Sequence, residues 1–103
     1  MRPIFFLLIL FCLFKPSLAQ ESGIVTKGEG DCAQRDRIVI QTLGGHVLAE
    51  KYMGYFLYGF RVSGDLNKLG FRNVTVNDLD GKLYINSSNA GTSSAERWCK
   101  EER

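Results

Sequence analysis

The chain has 103 residues, of which 45% are hydrophobic and 23% charged, and its formal net charge is +2 at pH 7. A chain of this length forms a single domain with a modest core. Basic and acidic residues are interspersed, so the sequence has no basic cluster for nucleic acid or for an anionic membrane surface. We therefore expect no nucleic-acid partner and no stable membrane insertion.

Residues 1–19 are predicted to be a secretory signal peptide. Arg2 precedes an apolar run over residues 4–14, and the small side chains of Ser17 and Ala19 form a cleavage site. The run has 11 residues, whereas a membrane-spanning helix needs about 20. The sequence therefore predicts a secreted, extracellular protein. Cleavage after Ala19 also removes two positive charges, so the mature chain is formally neutral.

Two cysteines remain in the mature chain, because Cys12 leaves with the signal peptide. In the oxidising secretory route, Cys32 and Cys99 are predicted to form one disulfide. Such a bond encloses most of the mature chain and would stabilise the fold by roughly 4 kcal/mol, since it lowers the entropy of the unfolded state. The pair lacks the Cys-x-x-Cys spacing that is typical of a redox or metal site.

Residues 20–31 are mostly small and polar and contain three glycines. This composition predicts a flexible N-terminal arm. A single disulfide-closed domain is predicted to follow over residues 32–103.

The first predicted core strand covers residues 37–43, where Ile38, Val39 and Ile40 favour an extended backbone. Residues 47–52 contain good helix formers and place Leu48 and Tyr52 at helical spacing. We therefore predict a short helix there.

The most aromatic stretch, residues 55–62, predicts a strand whose rings pack in the core. Two functional interpretations stay open for this part of the chain. One is a sugar-stacking platform, and the other is a membrane-inserting tip over residues 52–60. Residues 63–70 then predict one turn of helix that ends at Gly70.

The stretch NVTVNDLDGKLYINSS, residues 73–88, has two interpretations. A calcium loop would need a ligand where Val76 stands and a bidentate glutamate where Ser87 stands, so no metal site is predicted. A hairpin around a two-residue Asp80-Gly81 turn fits better. It points four apolar side chains inward: Val74, Val76, Leu83 and Ile85.

Asn73 and Asn86 each begin an N-glycosylation sequon, Asn-Val-Thr and Asn-Ser-Ser. In the predicted hairpin both asparagines lie on the outer, polar face, because strand side chains alternate. We therefore predict that the hairpin carries N-linked sugar at these two positions.

A C-terminal helix is predicted after residue 92, with Ser93 and Glu96 as a capping box. On this helix Ala95, Trp98 and Cys99 can face the sheet. The disulfide and the indole would then hold the end of the chain on the domain.

Catalytic groups are scarce in this sequence. His46 is the only histidine, which excludes a two-histidine acid–base pair and a multi-histidine zinc site. His46 and Glu50, four residues apart, would share a helix face, and Arg61 could add an anion clamp. A His–Glu pair is commonplace on exposed helices, so we predict no catalysis, no cofactor and no metal.

Together the predicted elements give an α+β domain with a mainly antiparallel sheet and short helices on one side. A small all-β sandwich is the alternative. The first function hypothesis is a secreted monomeric glycoprotein that binds an extracellular protein or glycan, as a ligand, inhibitor, venom component or matrix constituent. The second is a membrane-active, toxin-like protein that uses residues 52–60. The third is a small hydrolase centred on His46 and Glu50.

Overall fold

The computed structural model describes residues 21–101, which form six strands and one helix. The predicted signal peptide lies outside the described residues. In chain order the elements are β1 (Glu21–Lys27), β2 (Arg37–Thr42), β3 (Gly45–Met53), β4 (Arg61–Gly64), β5 (Gly70–Val76), β6 (Leu79–Ala90) and α1 (Thr92–Lys100).

The strands form one closed barrel in the order β1-β2-β3-β6-β5-β4, with every neighbouring pair antiparallel. Strand β1 closes it by pairing with β2 on one side and β4 on the other. The predicted α+β domain is therefore wrong, because the described residues contain one short helix and the sheet closes on itself. The alternative of a two-sheet sandwich is not formed either.

Strand β1 corrects the prediction of a flexible arm over residues 20–31. Its side chains alternate, and Gly23 and Val25 are buried. A Cβ at position 23 would lie 2.6 Å from the Gln41 carbonyl oxygen, so a glycine is needed where β1 packs against β2. Gly23, one of the small residues that indicated mobility, is thus required by packing.

Strand β3 contains the residues 47–52 that were expected to be helical, so that prediction is wrong. Val47 and Ala49 face the barrel interior, whereas Leu48 packs beneath α1, and all three are buried. A strand that is covered on both faces does not show alternating polar residues. Pairing with β2 and β6 overrides the local helix propensity.

The predicted strand over residues 55–62 and the predicted helix over residues 63–70 are also wrong. Strand β4 is short, and residues 54–60 form a loop before it. Leu66 lies in a second loop, between β4 and β5, and is fully buried in the barrel core.

Strands β5 and β6 form the predicted hairpin around a different turn. Val76 pairs with Leu79, so the turn residues are Asn77 and Asp78, whose φ angles of 48° and 70° suit a two-residue hairpin turn. A two-residue turn at Asp80-Gly81 would instead pair Val76 with Ile85, which is six positions from its actual partner Leu79. An even displacement preserves the faces. The four side chains predicted to point inward are all buried.

Helix α1 confirms the predicted C-terminal helix but not its capping box. Its N-cap is Gly91, and no side chain bonds to the first turn. Ala95 packs with Val39 and Leu48 on the outer face of the barrel. The predicted disulfide is confirmed: Cys32 and Cys99 are joined, which fixes the end of α1 to the segment before β2.

Candidate binding surface

The loop over residues 54–60, here named the end loop, is held to β1 and the segment after it by hydrogen bonds. Val25 N–H donates to the Phe60 carbonyl at 2.9 Å. Glu29 N–H donates to the Phe56 carbonyl at 2.8 Å, and the Glu29 carboxylate accepts from Phe56 N–H at 2.9 Å. These bonds fix the loop at both of its halves.

The end loop is also held by close packing against the barrel core and Gly28. Phe56 is fully buried in the barrel core. Gly28 approaches the loop so closely that a Cβ there would lie 2.7 Å from the Phe56 carbonyl oxygen and 2.8 Å from the Tyr58 nitrogen. Glu29, which bonds the loop, is itself paired with Lys51 on β3. Core packing, the close approach of Gly28 and the Glu29 bonds therefore restrain the loop.

Around this anchor, the loop exposes apolar side chains. Tyr55, Leu57 and Tyr58 are 72%, 45% and 75% exposed, and Leu79 at the start of β6 is 69% exposed. We name these four residues the end patch. The expectation that this stretch is core holds for Phe56 and Val62 and for Phe60, which packs against the core. It is wrong for Tyr55, Leu57 and Tyr58.

A groove of about 540 Å³ runs between the end loop and the β5–β6 turn. Its lining is largely apolar, and Asp80 is the charged residue among those that line it. The remaining side chains that line it are Tyr55, Leu57, Phe60, Val76, Asn77 and Leu79.

A second apolar surface lies on the side of the barrel, where Tyr52 of β3, Phe71 of β5 and Tyr84 of β6 meet. We name these residues the ring cluster. The ring centroids of Tyr52 and Phe71 are 5.2 Å apart, and those of Phe71 and Tyr84 are 4.9 Å apart, both edge to face. All three side chains are exposed, and Lys82 Nζ lies 5.7 Å from the Tyr52 centroid.

Both sequon asparagines lie beside the ring cluster. Asn73 follows Phe71 by two residues on β5, and Asn86 follows Tyr84 by two residues on β6. Both are exposed on the outer face of the barrel. Asn86 Nδ2 donates to a Glu50 carboxylate oxygen at 3.2 Å. Attachment of sugar at either position stays a prediction.

The structure does not bring together the residues of the hydrolase hypothesis. His46 and Glu50 lie on β3, four positions apart, which corresponds to about 13 Å along an extended strand. Leu48 lies between them, beneath α1. Arg61 begins β4, on the opposite side of the barrel from β3. An acid, a base and an anion clamp therefore do not converge here.

His46 instead lines a cleft of about 660 Å³ between α1 and the barrel wall. Its Nδ1 is buried and has no hydrogen-bond partner within residues 21–101. Its lining includes Lys27 and Lys100 as well as Asp31 and Glu96, so both signs of charge are present.

The described part of the chain contains neither a metal-binding group nor a membrane-spanning helix. Within residues 21–101, no three side chains of His, Cys, Asp or Glu form a group that could hold a metal ion. No helix in the same residues has the length and apolar character needed to cross a membrane.

Comparison with known proteins gives no relative: no family model, no curated protein and no solved structure matches this chain.

Sequence reasoning missed the end loop because it read the aromatic run as a strand. In a strand, alternation would place Phe56 and Tyr58 on one face, whereas in the structure Phe56 is buried and Tyr58 is exposed. A signal was available in Gly54 and Gly59, which bracket the rings and have φ angles of 101° and 86°. Glycines at such positions indicate a loop rather than a continuous strand.

Proposed function

We propose that this chain is a secreted, disulfide-closed glycoprotein that acts by binding an extracellular protein through the end patch. The observation that carries the proposal is that a loop fixed by a buried phenylalanine exposes two tyrosines and a leucine. The proposed activity includes no catalytic step.

Fixed geometry favours binding because less conformational entropy is lost when a partner docks. The end loop has backbone bonds to the β1 side of the barrel, and Phe56 occupies the core. The backbone that carries Tyr55 and Tyr58 therefore loses little conformational entropy when a partner binds. Tyrosine is enriched at the energetic centres of protein interfaces, since its ring is large and its hydroxyl bonds readily.

The charge beside the groove supports a protein partner rather than an anionic lipid surface. Asp80 lines the groove, and Asp78 is exposed in the adjacent turn. Arg61 lines a pocket together with Asp78, so the Asp80 carboxylate is the charge that faces the groove. A carboxylate disfavours approach to an acidic membrane and suits a partner segment in which an apolar side chain lies next to lysine or arginine.

The sequons also favour the end patch over the ring cluster. Asn73 and Asn86 lie beside the ring cluster, and the sequence has no sequon in the end loop or at the β5–β6 turn. Sugar at the predicted positions would leave the end patch open to a partner.

A photo-crosslinking experiment tests the proposal. The glycosylated chain is secreted with a photoreactive amino acid at position 58, and in a matched control at position 43. Leu43 is fully exposed in the β2–β3 turn, at the opposite end of the barrel. We expect one extracellular protein to crosslink at position 58 and not at position 43.

The captured protein is then purified and its affinity is measured directly. The triple variant Tyr55→Ser, Leu57→Ser and Tyr58→Ser should bind at least tenfold more weakly, whereas Leu43→Ser should bind like the native chain. Equal crosslinking at both positions, or equal affinity of the two variants, would contradict the proposal.

A membrane-active role is the second candidate, because the same exposed side chains could enter a lipid surface. Vesicles of neutral and of acidic composition, loaded with a dye, separate the two roles. Dye release that depends on Tyr58 would support the membrane role and replace the first proposal.

A further inference from the structure

The ring cluster and the two sequons share a geometric relationship. Side chains two residues apart on a strand point the same way, with Cα atoms about 7 Å apart. Phe71 and Asn73 have this relationship on β5, and Tyr84 and Asn86 have it on β6. Each sequon asparagine therefore has an exposed aromatic ring as its neighbour on the same face of the same strand.

Strand pairing places the two aromatic rings and the two asparagines on one surface. Phe71 pairs directly with Tyr84, and their rings are in contact. Asn73 lies beyond Phe71 toward the β5–β6 turn, whereas Asn86 lies beyond Tyr84 in the opposite direction along the sheet. The two asparagines thus flank the rings from both sides.

We propose that the ring cluster is an intramolecular binding site for the chain's own N-glycans. The first sugar on Asn73 packs on Phe71, and the first sugar on Asn86 packs on Tyr84. The inference rests on the predicted glycosylation and does not depend on the partner proposed for the end patch.

The chemistry of both groups fits this packing. One face of an N-acetylglucosamine ring presents polarised C–H bonds, and the face of an aromatic ring carries negative charge density. Contact between them also removes apolar ring surface from water. Phe71 is 56% exposed and Tyr84 38% exposed, so each ring has surface left to cover.

One hydrogen bond already fixes an attachment atom. Asn86 Nδ2, the atom that would carry the sugar, donates to Glu50, and Glu50 pairs across the strands with Tyr84. A glycosylated amide keeps one N–H, so this bond can persist after attachment. It would hold the linkage beside the Tyr84 ring.

The test uses the full secreted chain made with high-mannose glycans. One portion is trimmed by an endoglycosidase to a single N-acetylglucosamine at each site. The sugar-free comparison is the Thr75→Ala, Ser88→Ala variant, which removes both sequons but keeps both asparagines and all three rings. We expect the trimmed protein to melt on the order of 5 °C above the sugar-free variant, as a ring contact allows in a domain of this size.

Replacement of the rings provides the matched control. In the Phe71→Ala, Tyr84→Ala background, the same sugars should raise the Tm by less than half as much. A sugar effect of unchanged size would overturn the proposal, because the sugar would then act without the rings. Unoccupied sequons, or equal Tm with and without sugar, would also overturn it.

A spectroscopic measurement needs no variant. In the trimmed protein, ring currents should shift protons of the attached sugars upfield from their positions in the unfolded chain. Sugar resonances that do not change on folding would overturn the proposal even if the Tm values differed. Crosslinking at position 58 reports on the end patch separately, so failure of one proposal is distinguishable from failure of the other.

Discussion

Arg37 and Trp98 contact each other in two ways. Arg37 Nη1 donates to the Trp98 carbonyl at 2.8 Å, and the guanidinium lies 4.0 Å from the centroid of the indole ring. The indole Nε1–H in turn donates to the Ile38 carbonyl at 3.2 Å. The first residues of β2 therefore hold the last turns of α1 independently of the disulfide.

Replacement of Arg37 by Ala should lower the free energy of unfolding by about 2 kcal/mol, because a charged hydrogen bond and a cation–π contact are lost. Urea unfolding monitored by Trp98 fluorescence measures the change. Arg37→Lys should recover less than half, since an ammonium cannot stack and bond as a planar guanidinium does. Arg35→Ala, at an exposed neighbouring position, is the control, and an equal loss there would contradict the assignment.

Removal of the disulfide by the Cys32→Ser, Cys99→Ser double replacement should destabilise the chain by about 4 kcal/mol. The global loss of stability and the local opening of α1 can be measured separately. Denaturant unfolding gives the global loss, whereas hydrogen exchange should show α1 opening before the barrel strands. Uniform acceleration of exchange across the barrel would mean that α1 and the barrel unfold as one unit.

Phe56 and Tyr58 should respond oppositely to truncation. Phe56→Ala empties a core position and should cost about 3–5 kcal/mol. Tyr58→Ala removes an exposed ring and should change stability by no more than about 0.5 kcal/mol. Urea titration of both variants is the measurement. A large loss at Tyr58 would place that ring in the fold rather than on a contact surface.

The sign of the Asp78→Gly effect locates the hairpin turn. Asp78 has a φ of 70°, which glycine adopts without the strain that a side chain causes. Glycine also gains freedom in the unfolded state, so the net stabilisation of the fold should be about 0.5 kcal/mol. In a hairpin that turned at Asp80-Gly81, position 78 would be in a strand and glycine would destabilise it. Chemical denaturation decides between the two signs.

Gly81→Ala is the companion variant for the same hairpin. A Cβ there would lie 3.1 Å from Val76 Cγ2 and 3.2 Å from the Met53 carbonyl oxygen. We expect a loss of about 1–2 kcal/mol from overpacking. A neutral effect would indicate that β6 is less tightly packed than the structure has it.

Structural features that depend on local alternation or on covalent chemistry could be predicted from the sequence. The inward face of the β5–β6 hairpin and the Cys32–Cys99 bond follow from a period of two and from the count of cysteines. The position of the turn could not be predicted in this way. Asp80-Gly81 has the more favourable turn composition, but a turn at Asn77-Asp78 allows Gly81 to pack closely under Met53.

Closure of the barrel could not be predicted from single segments. β1 resembles a mobile arm until its partners on both sides are known, and β3 resembles a helix until α1 covers Leu48. In both cases the decisive contacts join residues that are distant in sequence. The end loop was hidden for a related reason, since only tertiary packing separates Phe56 from the tyrosines on either side of it.

Pairing of β1 with β4 gives every strand of the described chain a neighbour on both sides. An extended peptide consequently finds no full-length strand edge: of the longer strands, β6 has unpaired backbone only over residues 86–90, which pair with β3 but lie beyond the end of β5. The same closure removes most of the usual template for sheet-mediated aggregation. Interactions of this barrel are therefore made mainly by side chains and loops, so its specificity can change by substitution at the surface without disturbing the hydrogen-bonded framework.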